Sequence, residues 1–177
     1  MDERDRLLVK RFLEGQPDAA SGLVDRYQKR LYNVALRMLD NVQDAEDVTQ
    51  TAFCNAFLKL RSYNPKHRFF SWIYRITVNE ALNTLRRRKR IVPLEGDLEM
   101  IPAPGIKADR AAEDEDSIGR ALMGLKPDDR AVVVLRHFVS FSYEEIADVL
   151  GIPVKTVKSR LFTARERLRL MLRNQVH

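Results

Sequence analysis

Hydrophobic positions recur at helical intervals along most of the chain, and the alternation typical of strands is almost absent. Leu23, Tyr27, Leu31, Val34 and Met38 are separated by steps of four, four, three and four residues. That spacing places them on one face of a helix. Comparable patterns predict a short helix over residues 7–14, a third from about 43 to 60 and a fourth over about 69–90.

The helical period is lost between residues 93 and 112. This segment, PLEGDLEMIPAPGIKADRAA, contains three prolines and two glycines, a composition typical of a linker. A helical pattern returns at about residue 113 and continues to the end. We therefore predict an all-α protein with two small helical domains, residues 1–92 and 113–177, joined by a flexible linker at 93–112.

The second predicted domain contains the stretch SFSYEEIADVLGIPVKTVKSR. Ser142 and Glu145 have the spacing of a capping box that begins a helix, and Gly151 is suited to end it. Pro153 fits the first turn of a second helix. Ala147 is small where the two helices must cross. Together these features predict a DNA-binding helix-turn-helix.

The second helix of this motif has a polar and largely basic outer face. An amphipathic helix with a solvated basic face is the simpler interpretation, but cap, turn and core spacing agree independently on DNA binding. The start of the helix would enter the major groove. The predicted DNA-contacting residues are Lys155, Thr156, Lys158, Ser159, Arg160, Phe162 and Arg165.

The helix at residues 69–90 carries Trp72 on its polar side, together with arginines and asparagines. A tryptophan needed only for packing would lie among the leucines. Basic groups combined with a stacking ring are the means by which proteins hold single-stranded nucleic acid. The basic run at 86–90 also has a simpler interpretation, because cations stabilise the C-terminal end of a helix.

An acidic stretch, DAEDVTQTAF, begins the third predicted helix. Carboxylates are favourable in the first turn of any helix, which explains part of this charge. Asp47, Gln50, Thr51 and Asn55 nevertheless continue as an outward polar stripe. This pattern suggests a protein partner with a basic surface.

The charge distribution supports a polyanionic partner. The net charge is +6, with 18 Lys and Arg against 12 Asp and Glu in residues 1–95, 2 against 7 in 96–117, and 11 against 6 in 118–177. Two basic segments thus flank an acidic one. We expect no membrane-spanning segment and a cytoplasmic protein.

The sequence offers little for catalysis or metal binding. Cys54 is the single cysteine, which excludes an internal disulfide and a cysteine-based zinc site, and we predict it to be a small buried hydrophobe. His67, His137 and His177 show no metal-ligand spacing. We expect no metal, no cofactor and no enzymatic activity.

Both predicted domains resemble one family, the extracytoplasmic-function (ECF) sigma factors of bacteria, the smallest group of the sigma-70 family. The resemblance rests on DAEDVTQTAF, on FFSWIYRITVNEALNTLRRRKR, and on LKPDDRAVVVLRHFVSFSYEEIADVLGIPVKTVKSRLFTARERL. It implies a sigma2-like domain followed by a sigma4-like domain, with the acidic linker in place of the third domain of larger sigma factors.

The resemblance implies core RNA polymerase and promoter DNA as partners, and control by an anti-sigma factor that is often membrane-anchored. The sigma4-like helix would read the −35 element, and its domain would meet the polymerase β flap. The polymerase β′ clamp helices would meet Asp44, Glu46, Asp47 and Gln50. The −10 element would be opened and held by Tyr63, Asn64, Lys66, Arg68, Trp72, Arg75, Asn79, Asn83, Arg86, Arg87 and Arg90.

Three other classes of protein remain open at this point. An ordinary helix-turn-helix repressor would leave Trp72 and the acidic stretch unexplained. A phosphorylation-controlled regulator would need a receiver domain with parallel strands, which residues 1–95 do not predict. A pure protein-interaction module would leave both basic faces without a function.

Overall fold

The computed structural model describes residues 3–91 and 110–174, and every regular element within them is a helix. The all-α prediction is therefore confirmed. The helices, apart from a short 3₁₀ turn at Leu60–Ser62, are α1 (Glu3–Leu13), α2 (Asp18–Leu39), α3 (Val42–Lys59), α4 (Phe69–Ile91), α5 (Arg110–Met123), α6 (Pro127–His137), α7 (Tyr143–Leu150) and α8 (Val154–Asn174).

Helices α1–α4 form the first bundle. The stripe predicted on α2 is its core face, since all five of its members are buried. Helix α2 ends at Asp40, whose left-handed φ of 51° lets its N–H donate to the Leu36 carbonyl. Asn41 then begins α3 by accepting a hydrogen bond from the Asp44 N–H at 2.9 Å. This short turn makes α2 and α3 antiparallel neighbours.

Helices α5–α8 form the second bundle. The predicted capping box is present at Ser142 and Glu145, and Gly151 ends α7 at a left-handed φ of 65°. Helix α5 begins at Arg110, three residues before the predicted start. Most of the predicted linker, residues 93–109, lies outside the described residues.

The two bundles pack against each other. The Phe141 ring lies 5.2 Å from that of Phe70 and 5.0 Å from that of Tyr74, between centroids. On the neighbouring side, the Arg37 guanidinium lies 3.9 Å from the centroid of the Phe138 ring. Burial in this interface raises the pKa of Tyr74 to about 12.

Arg130 in the first turn of α6 is only 2% exposed, an unusual position for a charged side chain. Its Nε donates to the carbonyl of Leu122 at 2.9 Å, and Nη2 donates to those of Met123 at 2.8 Å and Leu125 at 3.2 Å. Its Nη1 reaches the Met38 carbonyl of the first bundle at 2.5 Å. Arg130 therefore caps the C-terminal ends of α5 and α2.

The carbonyls at helix ends lack intrahelical partners, and the negative end of the helix dipole favours a cation there. Burial lowers the pKa of Arg130 to about 10, and the charge of Asp40 opposes this shift. The guanidinium thus stays charged at neutral pH. Among the described residues, no helix is long and apolar enough to cross a membrane.

We expect Arg130→Met to lower the free energy of unfolding by about 3–5 kcal/mol, because several buried carbonyls would lose their donor at once. Urea unfolding followed by circular dichroism measures this loss. Arg130→Lys keeps the charge but has fewer donors, so its loss should be smaller. The exposed Arg173 provides the control Arg173→Met. An equal effect of the two methionine variants would contradict the capping role.

Candidate nucleic-acid interface

The second bundle presents α8 as the outer helix of a helix-turn-helix. Gly151 lets the chain turn within three residues, and the Ile152 N–H donates to the Ala147 carbonyl at 3.1 Å. Val157, Leu161 and Ala164 are buried and fix the rotation of α8 about its axis. The opposite side of α8 therefore faces solvent.

The predicted contact residues of α8 differ in exposure. Phe162 is 69% exposed. Thr156 and Arg160 are half-buried, and Arg160 Nη2 lies 3.5 Å from Oδ2 of Asp128. The remaining members of the set are exposed, namely Lys155, Lys158, Ser159 and Arg165. Arg160 is therefore engaged in an ion pair within its own bundle.

A basic cluster that the sequence did not reveal surrounds the ring of Tyr143. The Arg136 guanidinium lies 5.1 Å from the centroid of its ring, and the Lys158 ammonium lies 5.7 Å from it. Nearby, Arg165 Nη2 is 3.4 Å from Nε2 of His137. Burial, followed by the charges of Arg165 and Arg136, lowers the pKa of His137. The cluster extends the basic face of α8 onto the start of α7.

Trp72 on α4 is half-buried, so it also packs. Its ring centroid lies 5.2 Å from that of Tyr63 and 5.7 Å from that of Phe69. The helical wheel of α4 places Trp72 on the polar side because a wheel cannot include Tyr63, which comes from the preceding loop. Trp72 therefore supports the loop and leaves only part of its ring accessible.

The loop at residues 63–68 is built around Tyr63. This ring is buried, and its hydroxyl donates to the His67 carbonyl at 2.6 Å. The Asn64 side chain accepts from the Lys66 N–H at 3.0 Å. Of the predicted contact residues here, Asn64, Lys66 and Arg68 are exposed, whereas Tyr63 supports the loop from below.

The C-terminal half of α4 displays a row of polar and basic side chains. Asn79 and Asn83 are exposed, and Asn83 accepts from Arg86 Nη1 at 3.0 Å. Arg87 Nη2 lies 3.4 Å from the Thr84 hydroxyl. A shallow depression of about 390 Å³ is lined by Glu80, Asn83, Arg86, Arg87 and Arg90. The structure thus gathers this part of the predicted set on one surface.

Two other arginines of the predicted set contact the second bundle. Arg68 Nη1 lies 2.8 Å from Oε1 of Glu145, and Arg75 Nη2 lies 2.9 Å from Oδ1 of Asp148. Arg75 also donates to the Asp148 carbonyl. The partners are 77 and 73 residues away along the chain, so no local pattern could reveal these pairs.

The acidic stretch lies on α3. Asp47, Gln50 and Thr51 are exposed along its outer side, as predicted, and Glu46 is exposed beside them. Asn55, the fourth member of the predicted stripe, is instead half-buried, and its Nδ2 donates to Oε1 of Glu80 at 3.1 Å. Asp44 is half-buried and forms an ion pair with Arg88 of α4. The exposed part of the acidic surface therefore begins at Glu46.

Cys54 is exposed, so the prediction that it is buried was wrong. At 100° per residue, the buried residues Ala52, Phe53 and Ala56 centre on a direction far from that of position 54. Its side chain instead lines a depression of about 550 Å³ between α3 and α4, which Asp47 and Gln50 also line. Among the described residues, no group of three His, Cys, Asp or Glu side chains could hold a metal ion.

The chain is similar to known protein families and to curated proteins. The family described as sigma-70 region 2 matches residues 23–91, and that described as sigma-70 region 4 matches residues 115–168. The chain is 33% identical over 178 residues to the ECF RNA polymerase sigma factor SigW of Bacillus subtilis (strain 168), covering 94% of this chain and 95% of that protein. The chain belongs to the ECF sigma factors.

Solved structures agree with this placement. CnrH in complex with the cytosolic domain of CnrY superposes with a TM-score of 0.75 at 28% identity, covering 97% of this chain and 98% of that one. The sigma factor RpoE in complex with the anti-sigma factor NepR, from Bartonella quintana, superposes with a TM-score of 0.68 at 27% identity, covering 86% and 96%.

Membership confirms the predicted function. An ECF sigma factor binds core RNA polymerase, directs it to promoters and nucleates strand opening, and the polymerase carries out the chemistry. The chain is therefore a transcription initiation factor and not an enzyme. The helical first bundle, with no strand in residues 3–91, contradicts the receiver-domain alternative.

We expect Lys158→Ala to weaken binding to duplex DNA and to reduce the slope of log K against log salt by about 0.9, the value for one lost phosphate contact. Fluorescence anisotropy at several salt concentrations measures the slope. Lys29→Ala removes the same charge from an exposed position on α2 and serves as control. A Lys158→Ala slope equal to that of the control would remove Lys158 from the phosphate contacts.

Proposed function

We propose that the two bundles divide the promoter between them. The first bundle opens the −10 element with α4 and the loop at 63–68, and the second reads the −35 element with the outer face of α8. The observation that carries this division is the exposed row of Asn79, Asn83, Arg86 and Arg90 on a helix whose other side is core, in a chain that also holds a helix-turn-helix. The domain boundaries, between residues 92 and 93 and between residues 112 and 113, stay a prediction.

The chemistry of α4 suits a separated strand. Asparagine side chains offer a donor and an acceptor to base edges, and the arginines beside them neutralise phosphates. Trp72 leaves part of its ring accessible at the edge of Tyr63 and Phe69, where an extruded base can stack. A rigid helix presents these groups together, so little of their freedom is lost on binding.

The acidic side of α3 is proposed as the contact with the β′ clamp helices of the polymerase. Glu46, Asp47 and Gln50 provide an exposed surface of acceptors. We infer from its ion pair with Arg88 that Asp44 has a mainly structural role, holding α3 against α4. The β flap is proposed to meet the second bundle.

An anti-sigma factor is proposed as the regulator of this chain. RpoE is described in complex with the anti-sigma factor NepR, and CnrH in complex with the cytosolic domain of CnrY. A protein with the same two-bundle fold can be held in the same way. We infer that the chain acts in the cytoplasm, where core polymerase and DNA meet.

The decisive experiment adds the purified chain to core RNA polymerase on a library of genomic fragments and maps the RNA start sites. Starts that share two spaced upstream elements would support the proposed division. A chain that fails to associate with the polymerase but binds specific duplex sites alone would support the repressor alternative and overturn the proposal.

We expect Asp47→Arg to weaken association with core polymerase by about tenfold. The proposed partner surface is basic, so an arginine at this position of α3 would face charges of its own sign. Titration of a fluorescently labelled chain with core polymerase gives the affinity. Glu14→Arg makes the same charge reversal at an exposed position just after α1. Equal affinities of the two variants would refute the assignment of α3.

We expect Asn79→Ala to slow transcription from a duplex promoter by about 3- to 10-fold, the loss of one hydrogen bond to a base. A template with a pre-melted bubble at the −10 element should show the same loss, because the contact is to the separated strand. Asn33→Ala on α2 is the matched control. A defect that disappears on the bubble would assign Asn79 to opening and not to holding the strand.

A further inference from the structure

A cavity of about 590 Å³ lies beside the contact between the two bundles. Its walls come from α1 and α2, from the start of α4 and from the segment between α6 and α7. This volume is within the range of about 300–1,000 Å³ that small-molecule sites in proteins occupy. The polar and aromatic groups on the walls therefore define which molecule the cavity can bind.

Tyr74 of α4 brings a hydroxyl to this cavity. The residue is only 3% exposed, and it forms part of the cavity wall. Within residues 3–91 and 110–174, its hydroxyl makes no hydrogen bond. Buried hydroxyls are almost always hydrogen-bonded, so each exception needs a physical explanation. An oxygen atom of a ligand in the cavity would accept this bond.

Arg30 of α2 supplies a positive charge to the same space. Its side chain is exposed on the cavity wall, and it forms no ion pair within the part of the chain that the structure describes. Its charge opposes the rise in the pKa of Tyr74 that burial causes, so the guanidinium lies near the phenol. A guanidinium offers parallel N–H donors that match the two oxygens of a carboxylate.

The other charges on the cavity wall are already compensated. Asp5 accepts from the Tyr27 hydroxyl at 2.7 Å, and its Oδ1 lies 2.8 Å from Arg26 Nε. Arg68 is paired with Glu145 at 2.8 Å. The exposed guanidinium on α2 is thus the one charge of the described lining without a counter-ion. A carboxylate would neutralise it, whereas a phosphate monoester, with a charge of about −2 at neutral pH, would leave an excess of negative charge.

Aromatic rings form the apolar part of the wall. The Phe141 ring lies 5.2 Å from that of Phe70 and 5.0 Å from that of Tyr74, between centroids, and Phe138 is 41% exposed beside them. Rings at such distances attract one another in tilted and offset arrangements, so a further planar ring can join the cluster. The walls therefore match a planar apolar ring that carries one negative charge.

We propose that this cavity is a binding site for a small aromatic monocarboxylate. The carboxylate accepts hydrogen bonds from Tyr74 and Arg30, and the ring packs against Phe70 and Phe141. Arg30 provides the counter-charge, and Tyr74 orients the ligand because a phenol has a single donor at a fixed distance from its ring. The site adds a small-molecule ligand to the polymerase and DNA of the proposed function.

Isothermal titration calorimetry of the full-length chain with 2-naphthoate tests the site. We expect saturable binding, and binding of the neutral isostere 2-naphthamide that is weaker by about tenfold, because the amide cannot neutralise the guanidinium. Adenosine monophosphate should also bind more weakly than 2-naphthoate. Absence of saturable 2-naphthoate binding, or equal affinities for the acid and the amide, would overturn the proposal. Tighter binding of adenosine monophosphate would overturn the assignment to a monocarboxylate.

Tyr74→Phe removes the hydroxyl and keeps the ring. It should weaken 2-naphthoate binding by about tenfold, the loss of one hydrogen bond to a charged group. The thermal unfolding midpoint of the free chain should not fall, because the hydroxyl has no partner among the described residues. Tyr32→Phe makes the same change at a half-buried position of α2 outside the cavity. If both variants bind 2-naphthoate equally, Tyr74 is not part of a site and the proposal fails.

Arg30→Gln removes the unpaired charge from an exposed position, so circular dichroism should show an unchanged fold. We expect its affinity for 2-naphthoate to fall by about tenfold, and the preference for the acid over the amide to disappear. Lys29→Gln removes the same charge from the neighbouring position of α2, which does not line this cavity. A preference for the acid that survives in Arg30→Gln would contradict the proposal. These titrations contain neither polymerase nor DNA, so their outcome is independent of the proposed function.

Discussion

The guanidinium of Arg130 lies where the ends of α5 and α2 meet the first turn of α6, and the arrangement of the second bundle depends on it. Its bonds to backbone carbonyls fix where α6 begins relative to α5. Helix α6 then sets the position of Phe141, and Phe141 sets the register of α7 on α4. One buried charge thus joins the ends of α2 and α5 to the start of α6, the helix that leads to Phe141.

Helix α4 combines a packing role and a recognition role on opposite sides of one cylinder. Ile73, Val78 and Ala81 are fully buried, which fixes the rotation of the helix about its axis. That rotation directs Asn79 and Asn83 outwards. The recognition groups are therefore placed by the core, and their positions are as rigid as its packing.

The sequence was sufficient to predict the features that depend only on residues close together along the chain. The spacing on α2, the capping box of α7 and the turn at Gly151 each arise from residues within one or two helical turns, and all are present. The outward direction of Glu46, Asp47 and Gln50 follows from the same period. Such features need no knowledge of which helices are neighbours.

The features that escaped prediction depend on distant partners. Arginine is a residue type normally found on the surface. Arg130 can be buried only because α2, α5 and α6 meet there and their carbonyls accept its hydrogen bonds. Trp72 packs because Tyr63 folds back from a loop that has no period. Glu145 was predicted as a cap, yet its second oxygen pairs with Arg68 across the chain. Cys54 is a different case, because its exposed position depends on no distant partner. The helical wheel of α3 already directs this side chain away from the core.

The capping role of Arg130 lies mainly within the second bundle. Three of the four carbonyls that it holds, those of Leu122, Met123 and Leu125, belong to the second bundle, and only that of Met38 belongs to the first. The contact of Arg130 with the first bundle is therefore a single buried hydrogen bond, and most of its cap lies within the second bundle alone. Since a buried carbonyl that loses its donor is costly, most of the stability that Arg130 provides belongs to the second bundle.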